Sequence, residues 1–180
     1  TNVGEKETLC IKGILPEEAW PRQVTKSYSE EMKVQLEKGE LNRINDKSFE
    51  HTSHSIQHLQ HIAGPYGIGR DIHVGDTIIG IKGRVGFEAA APMVIIKAHH
   101  ALEKHVLTKW QLTWKDQLSQ FYGNWLHEGQ ILDPVMRDIE VYLTKSQRNV
   151  TGDVFVQLFP YRFQIIGIES QYDLMNIKFG

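Results

Sequence analysis

Cysteine and surplus positive charge are both scarce in this chain. Cys10 is the one cysteine among 180 residues, so no disulfide can form within the chain. The formal net charge is -2, and a chain without a basic surplus is poorly suited to binding the phosphate backbone of nucleic acids. The composition therefore predicts a protein without a nucleic-acid partner.

Long apolar runs are also lacking. The longest one, from Ala89 to Ala98, is much shorter than the roughly 20 residues that a helix needs to cross a bilayer. The sequence shows no charged leader followed by an apolar run, so we expect a cytoplasmic protein without a membrane partner. Because the chain starts at Thr1 without a methionine and stops at Gly180 after a strand-like run, we expect both ends to be cuts within a longer polypeptide.

The first 30 residues differ in composition from the rest. Glycines and prolines interrupt them, and few apolar positions recur at a regular interval. This pattern predicts an extended connecting segment over residues 1–30, with a short helical turn from Glu17 to Trp20, lying on a neighbouring part of the protein. The remaining residues, 31–180, are enough for one domain with one core.

Alternating apolar residues predict two β-hairpins. Met32 to Leu36 and Leu41 to Ile44 flank a turn at Lys38-Gly39, and Val154 to Phe159 and Phe163 to Ile168 flank a turn at Pro160-Tyr161. A β-branched apolar run from Thr77 to Lys82 predicts a buried strand.

Four helices are predicted between and beside these strands. They are Ser53 to Ala63, Pro92 to His105, a helix opened by the capping pair Thr108 and Gln111, and a helix opened by Asp133-Pro134. The third places Trp110, Trp114 and Trp125 on one face, which is typical of core or subunit contact. Segregated hairpins and consecutive helices predict an α+β domain with an antiparallel sheet.

Two local patterns suggest other chemistry. His51, His54, His58 and His61 could line one side of a helix and bind a metal, but no carboxylate or cysteine lies nearby to complete the ligands, so a solvated polar face is favoured and no metal is predicted. Gly67-Ile68-Gly69-Arg70 resembles part of a dinucleotide-binding fingerprint, but Ile72 replaces the third glycine and the segment precedes a predicted strand.

Several longer motifs together resemble the argininosuccinate synthase family. Ala63 to Arg70 has the form AGxxGxGR, and Ile79 to Glu103, IGIKGRVGFEAAAPMVIIKAHHALE, is similar to the GIKSRxxYEAP-like segment and AHxxLE helix of that family. TNVGEKET at the start and ESQYDL, from Glu169 to Leu174, fall in family order. The resemblance covers nearly the whole chain and corresponds to the C-terminal synthetase and multimerisation domain.

The resemblance implies a part of an ATP-dependent ligase that joins citrulline to aspartate, with ATP and Mg held mainly by a nucleotide-binding domain. That domain carries a serine- and glycine-rich phosphate loop, which this chain lacks. We therefore expect no catalytic residue here and no activity without the chain's own ATP-binding domain. The family further implies one wall of the citrulline pocket and a homotetramer; the alternative is an oligomerisation module that does not contact substrate.

The same alignment contains departures at the expected substrate wall. Gly75 stands where the family has a citrulline-contacting glutamate, Phe87 where it has a tyrosine, and Asn2 where it has a serine. Asp76 could replace the glutamate if the register slips. Alternatively, the substrate is an N-acylated citrulline, whose α-nitrogen is neutral and bulky. A glycine at position 75 would then omit a carboxylate that the substrate does not need and leave space for the acyl group.

Charged residues around the predicted strand complete the candidate substrate-binding set. Arg84 and Glu88, together with Arg70 and Lys82, could form the pocket wall, because buried charges need partners or a ligand. The competing interpretation is a salt-bridge network that joins Lys82, Arg84, Asp76 and Glu88. The substrate-binding candidates are thus Asn2, Gly75, Asp76, Arg84, Phe87 and Glu88.

Overall fold

A computed structural model describes residues 15–76 and 79–175. Seven strands and four helices follow one another in these ranges. The strands are β1 Glu30–Glu37, β2 Glu40–Ile44, β3 Lys47–Ser48, β4 Arg70–Asp76, β5 Lys82–Glu88, β6 Gly152–Phe159 and β7 Arg162–Glu169, and the helices are α1 Thr52–Ala63, α2 Ala90–Val106, α3 Lys109–His127 and α4 Pro134–Ser146. The predicted α+β class is confirmed.

A five-stranded antiparallel sheet with the order β3-β2-β1-β6-β7 forms the centre of the domain. Both predicted hairpins are confirmed, and the pairing of β1 with β6 joins them. Met32 lies opposite Val156, and Val34 lies opposite Val154, with all four side chains buried. Because alternate residues share one face of a strand, the apolar face of this central pair covers the core.

Helices α1 and α2 close the core over the sheet. Leu59 of α1 and Val94, Ala98 and Leu102 of α2 are fully buried. Burying a side chain such as Leu or Val contributes roughly 1.5–3 kcal/mol relative to its exposed state. The predicted helices Ser53 to Ala63 and Pro92 to His105 are confirmed, with α2 beginning two residues earlier and ending one later.

Helices α3 and α4 form a helical hairpin, and both begin as predicted. Thr108 accepts a hydrogen bond from the Gln111 amide at 3.4 Å, and the Gln111 side chain accepts one from the Thr108 amide at 2.9 Å. Asp133 caps α4 by accepting from the Val135 amide at 3.0 Å. Capping side chains satisfy backbone donors that a helix end leaves free.

The tryptophan face of α3 is not part of the core. Trp110 is 67% exposed and Trp114 is 56% exposed. Of the two roles expected for this stripe, a core contact is therefore wrong for these residues.

The predicted buried strand from Thr77 to Lys82 is wrong. Residues 77 and 78 lie outside the described ranges, and Ile79 and Ile81 are exposed beside the turn that precedes β5. The β-branched composition of this run suits a strand, but the strands are β4 and β5 on either side of it.

None of the helices in residues 15–76 and 79–175 combines the length and the apolar composition that crossing a membrane requires.

The described part of the connecting segment, residues 15–29, has the predicted form, with a short 3-10 helix at Glu17–Ala19 and extended chain around it. Asn2 and Cys10 lie outside the described ranges. The boundary between segment and domain at residue 30 stays a prediction.

Candidate functional site

A two-stranded ribbon carries five of the six residues that were predicted to bind substrate. Strands β4 and β5 pair with each other in a sheet of their own. Gly75 and Asp76 end β4, while Arg84, Phe87 and Glu88 lie on β5. The sixth residue, Asn2, lies outside the described ranges.

The register of the ribbon divides these five residues between two faces. Directly opposite residues of an antiparallel pair share a face, and successive residues alternate. Glu88 lies opposite Arg70, Arg84 opposite Val74, and Asp76 opposite Lys82, which places all six on one face, the Glu88 face. The other face, the Phe87 face, contains Asp71, His73, Gly75, Gly83, Val85 and Phe87. The predicted residues therefore do not converge on one point.

Residues 15–22 cover the base of the Glu88 face. The Glu88 side chain is 1% exposed, with one carboxylate oxygen 3.0 Å from Nη1 of Arg22 and the other 3.6 Å from Nε of Arg70. Arg70 also donates to the Glu17 carboxylate at 2.9 and 3.0 Å and lies 5.2 Å from the Trp20 ring centre. Glu88 thus anchors the connecting segment to the ribbon.

The second contact of the segment is apolar. A Cβ added to Gly86 would lie 2.1 Å from Cδ1 of Leu15. The absence of a side chain at position 86 therefore lets the segment approach the ribbon closely. On the same face Arg84 is half-buried.

The predicted salt-bridge network is confirmed in one pair and wrong in another. Asp76 and Lys82 form an ion pair at the far end of the ribbon, where both side chains are well exposed. Glu88, however, pairs with Arg22 and Arg70 instead of joining Lys82. Glu88 and Lys82 stand at opposite ends of the seven-residue strand β5, which is too long for their side chains to meet.

The Phe87 face is open. Phe87 is 37% exposed and borders a cavity of about 260 Å³ that Met93 and Tyr161 also line. Asp71, His73 and Val85 on the same face are exposed. This face of the ribbon is therefore accessible to a ligand or to another part of a longer protein.

His73 occupies the space above Gly75. A Cβ added to Gly75 would lie 2.7 Å from Nε2 of His73. The imidazole therefore stands where a side chain at position 75 would begin. His73 is not among the residues predicted to bind substrate. Its spacing of two residues from Gly75 places both on one face of a strand, so a strand prediction over residues 70–76 would include it.

The four histidines of the first helix region have separate surroundings. The rings of His51 and His54 are 5.6 Å apart, His58 packs 5.2 Å from Phe49, and Nδ1 of His61 lies 2.7 Å from the Gln57 carbonyl oxygen. Burial is the main cause that lowers the pKa of His58. Within the described ranges, no group of three or more histidine, cysteine, aspartate or glutamate side chains has a geometry that could hold a metal ion.

The dinucleotide-like glycines also have a structural explanation. Gly67 and Gly69 have φ angles of +68° and +76°, and glycine adopts such angles at the lowest cost. They connect the short 3-10 helix Gly64–Tyr66 to strand β4, whereas a dinucleotide fingerprint joins a strand to a helix.

Comparison with known proteins places the chain in a family. The sequence family model of the argininosuccinate synthase C-terminal domain matches residues 11–179 of this chain. An argininosuccinate synthase of Dictyoglomus thermophilum is 40% identical over 121 residues, covering 67% of this chain and 30% of the relative. Those of Methanocaldococcus jannaschii and Xanthomonas axonopodis pv. citri are 33% and 34% identical, covering 89% and 91% of this chain and 41% and 38% of the relatives.

The matches cover most of this chain but only the C-terminal part of longer relatives, so the α+β fold is that of a C-terminal domain. The chain belongs to the argininosuccinate synthase family. It spans 30 to 41% of the length of the three relatives described above.

Proposed function

We propose that this chain is the substrate-side domain of an ATP-dependent ligase that joins citrulline, free or N-acylated, to aspartate and forms argininosuccinate or its acylated form. Family membership and the C-terminal position of the matches support the proposal. The domain acts in the cytoplasm, within a homotetramer, and is inactive without the nucleotide-binding domain of the same polypeptide.

The observation that carries the proposal is the anchored ribbon with one uncovered face. An isolated two-stranded hairpin is marginally stable in water, yet β4 and β5 pair only with each other within residues 15–76 and 79–175. Glu88 fastens one face to residues 15–22, and the Phe87 face stays open. Such a ribbon is suited to form one wall of a pocket whose other wall belongs to the missing domain.

The role of this wall in catalysis is positioning. Holding two reactants in the correct geometry removes a large part of a bimolecular barrier, and a misplacement of about 1 Å can cost roughly a hundredfold in rate. No catalytic residue is assigned to this chain. Phe87 and the neighbouring backbone of β5 would define the position of the citrulline side.

His73 and Gly75 favour an N-acylated substrate. A carboxylate at position 75 could only accept hydrogen bonds, which suits an ammonium group, whereas a neutral imidazole offers one donor and one acceptor. An acylated α-nitrogen presents an amide N–H and a carbonyl oxygen, so the imidazole above Gly75 can bond either group. His73 borders the space beside Gly75, so an acyl group placed there would lie next to the imidazole.

Asp76 is a weaker substitute for the family glutamate. The ribbon is paired without a register shift, so Asp76 and Gly75 lie on opposite faces. Asp76 also forms an ion pair with Lys82. A direct role for Asp76 would require the end of the ribbon to rearrange.

ATP and Mg are assigned to the missing domain. In the described ranges, Thr108 and Asp133 cap the first turns of α3 and α4, and Gly67 and Gly69 lead into a strand. These features do not fit a triphosphate, which requires free backbone N–H groups at a helix N-terminus or a similar loop. No nucleotide step is therefore derived from this chain.

The alternative is an oligomerisation module without substrate contact. Its support is the exposed apolar face of α3, which includes Trp110 and Trp114. This alternative predicts that changes on the Phe87 face leave substrate affinity unaltered.

Turnover by the full-length protein tests the proposal. Pyrophosphate release is measured with ATP, aspartate and citrulline, N-acetylcitrulline or N-succinylcitrulline, for the parent protein, Phe87→Ala and Trp110→Ala. We expect Phe87→Ala to raise KM for the citrulline substrate and Trp110→Ala to leave it unchanged. Turnover by the isolated 180-residue chain would contradict the proposal that it is inactive without the nucleotide-binding domain. A clear preference for free citrulline would rule out an N-acylated substrate.

A further inference from the structure

A large cavity lies away from the ribbon, between the β1–β2 turn and the end of α4. Its volume is about 990 Å³, within the range of about 300–1,000 Å³ for small-molecule sites. It is an open groove, because Lys38, Val141 and Arg148 along it are exposed. Most of its lining is apolar, formed by Val141 and by the stems of long side chains. The proposed ligase function does not use this cavity.

Basic side chains dominate the charge of the cavity. Four basic and two acidic side chains line it, leaving a formal charge of +2 in a chain whose net charge is -2. Arg137 is neutralised by Glu140 at 2.7 Å. The side chains of Lys38, Lys145 and Arg148 form no hydrogen bond or ion pair with any residue in 15–76 and 79–175.

Two of these three cations have an independent explanation. Lys145 and Arg148 lie at the C-terminal end of α4, where the helix dipole favours positive charge. Lys38 lies in a hairpin turn, where no helix dipole favours a positive charge. Of the three cations, it is therefore the one that most directly indicates an anionic ligand.

The backbone that presents Lys38 is held in place. The amide of Lys38 donates to Oγ1 of Thr151 at 2.9 Å, and the amide of Gly39 donates to the Val150 carbonyl at 2.8 Å. The turn also contacts the side chain of Gln147, since a Cβ on Gly39 would lie 2.7 Å from its Oε1. The position of Lys38 relative to the cavity is thus set by the fold.

The floor of the cavity is similarly fixed. Gln147 donates to the buried carboxylate of Glu103 at 2.8 Å, so its carbonyl oxygen is left to accept from Nε2 of His99 at 2.8 Å. Glu103 is in turn paired with the buried Lys115. A ligand would meet these groups already oriented, which lowers the entropy cost of binding.

We propose that this cavity binds a small organic molecule that carries two or more anionic groups. The three cations bind the anionic groups, and the apolar lining contacts the carbon frame. Carboxylates and phosphates share this chemistry, and the two probes in the experiment distinguish them.

Calorimetric titration of the full-length protein with citrate and with fructose 1,6-bisphosphate tests the proposal at low ionic strength, where charge interactions are least screened. The cavity variants are Lys38→Gln alone and Lys38→Gln with Lys145→Gln and Arg148→Gln. The matched control changes Arg43, Lys47 and Lys109 to Gln; it removes the same charge from exposed positions outside the cavity lining. An unchanged unfolding temperature shows that each variant is folded.

We expect saturable binding of at least one probe by the parent and control proteins. One lost charge-assisted contact corresponds to about a tenfold to hundredfold loss of affinity, so Lys38→Gln should weaken binding by at least about tenfold and the triple cavity variant should abolish it. Citrate binding alone identifies a carboxylate ligand, and binding of fructose 1,6-bisphosphate alone identifies a phosphate.

Three outcomes overturn the proposal. They are no saturable binding of either probe, an equal loss in the control variant, and an altered oligomeric state of the triple cavity variant without probe binding by the parent. None of them affects the ligase proposal, because ATP-dependent turnover is measured separately.

Discussion

Glu103 on α2 and Lys115 on α3 form a buried ion pair, with the ammonium nitrogen 2.7 Å from a carboxylate oxygen. The Glu103 side chain is 1% exposed and that of Lys115 is 8% exposed. Burial alone lowers the pKa of Lys115, but hydrogen bonds and charges of Glu103 and Asp116 outweigh it, so the pKa is raised. This pair joins the core to the helical hairpin α3–α4.

Replacing Lys115 alone should be strongly destabilising. Lys115→Met leaves the Glu103 charge buried without its cation, which typically costs about 3–5 kcal/mol. The double variant Glu103→Gln with Lys115→Met removes both charges and keeps an acceptor for Gln147, so we expect it to recover much of that loss. Urea unfolding measures both, with the exposed Lys109→Met as the control. Equal stability of Lys115→Met and the control would show that the pair is unimportant.

Removing the Glu88 charge should loosen the connecting segment. Glu88→Gln leaves Arg22 and Arg70 without this partner, and we expect a cost of about 1–3 kcal/mol. Backbone amides of residues 17–25 should exchange hydrogen faster, since the ion pair of Glu88 with Arg22 is one of the contacts that hold this segment on the ribbon. Asp76→Asn, which breaks the exposed pair with Lys82, is the control and should cost less than about 1 kcal/mol. Unchanged exchange at residues 17–25 would exclude the anchoring role.

Substrate preference should depend on His73 in the full-length protein. A neutral hydrogen bond is worth about 0.5–1.5 kcal/mol, so His73→Ala should raise KM for N-acetylcitrulline by about threefold to tenfold. Gly75→Glu should displace the imidazole and shift preference towards free citrulline, because a carboxylate pairs with an ammonium group. Steady-state kinetics measure both, with Asp71→Asn on the same face as the control. If His73→Ala changes KM equally for free and N-acylated citrulline, His73 does not recognise the acyl group.

Acid should release residues 170–175 from α2. Asp173 accepts a hydrogen bond from the Met175 amide, and its carboxylate lies 3.1 Å from Nδ1 of His105; the Met175 bond is the main cause that lowers its pKa from 3.8. A depressed carboxylate pKa stabilises the folded state above the unfolded value and stops doing so as pH falls through the folded value. The Leu174 amide donates to the backbone carbonyl oxygen of His105. Its protection from hydrogen exchange should therefore decrease when the pH is below about 3.8. Asp173→Asn should have low protection without that pH dependence; a pH-dependent loss in this variant would point to another group.

Local patterns were enough to predict much of the fold. The capping pair of Thr108 and Gln111, the Asp133-Pro134 helix start and the turn at Lys38-Gly39 each involve residues within four positions of one another, and each is confirmed. Such features are set by short-range hydrogen bonds and backbone preferences.

The ribbon could not be predicted in the same way. Strand β4 has only two alternating apolar residues, Ile72 and Val74, and no buried residue, so it shows only a short form of the apolar alternation that indicates a strand. The family resemblance located Gly75 and Phe87, but only the pairing register shows that they share a face and that Asp76 does not. Arg22, which binds Glu88, is 66 positions away, and no local pattern links such residues.

The β1–β6 pair has a consequence for how the protein is made. These neighbouring central strands begin at residues 30 and 152, so a ribosome synthesises one more than a hundred residues before the other. Until β6 emerges, the hydrogen-bonding edge of β1 is unpaired, and unpaired strand edges invite association with other chains. Because such distant pairing is also slow to form, translation speed between residues 37 and 152 should influence how much of the newborn protein aggregates.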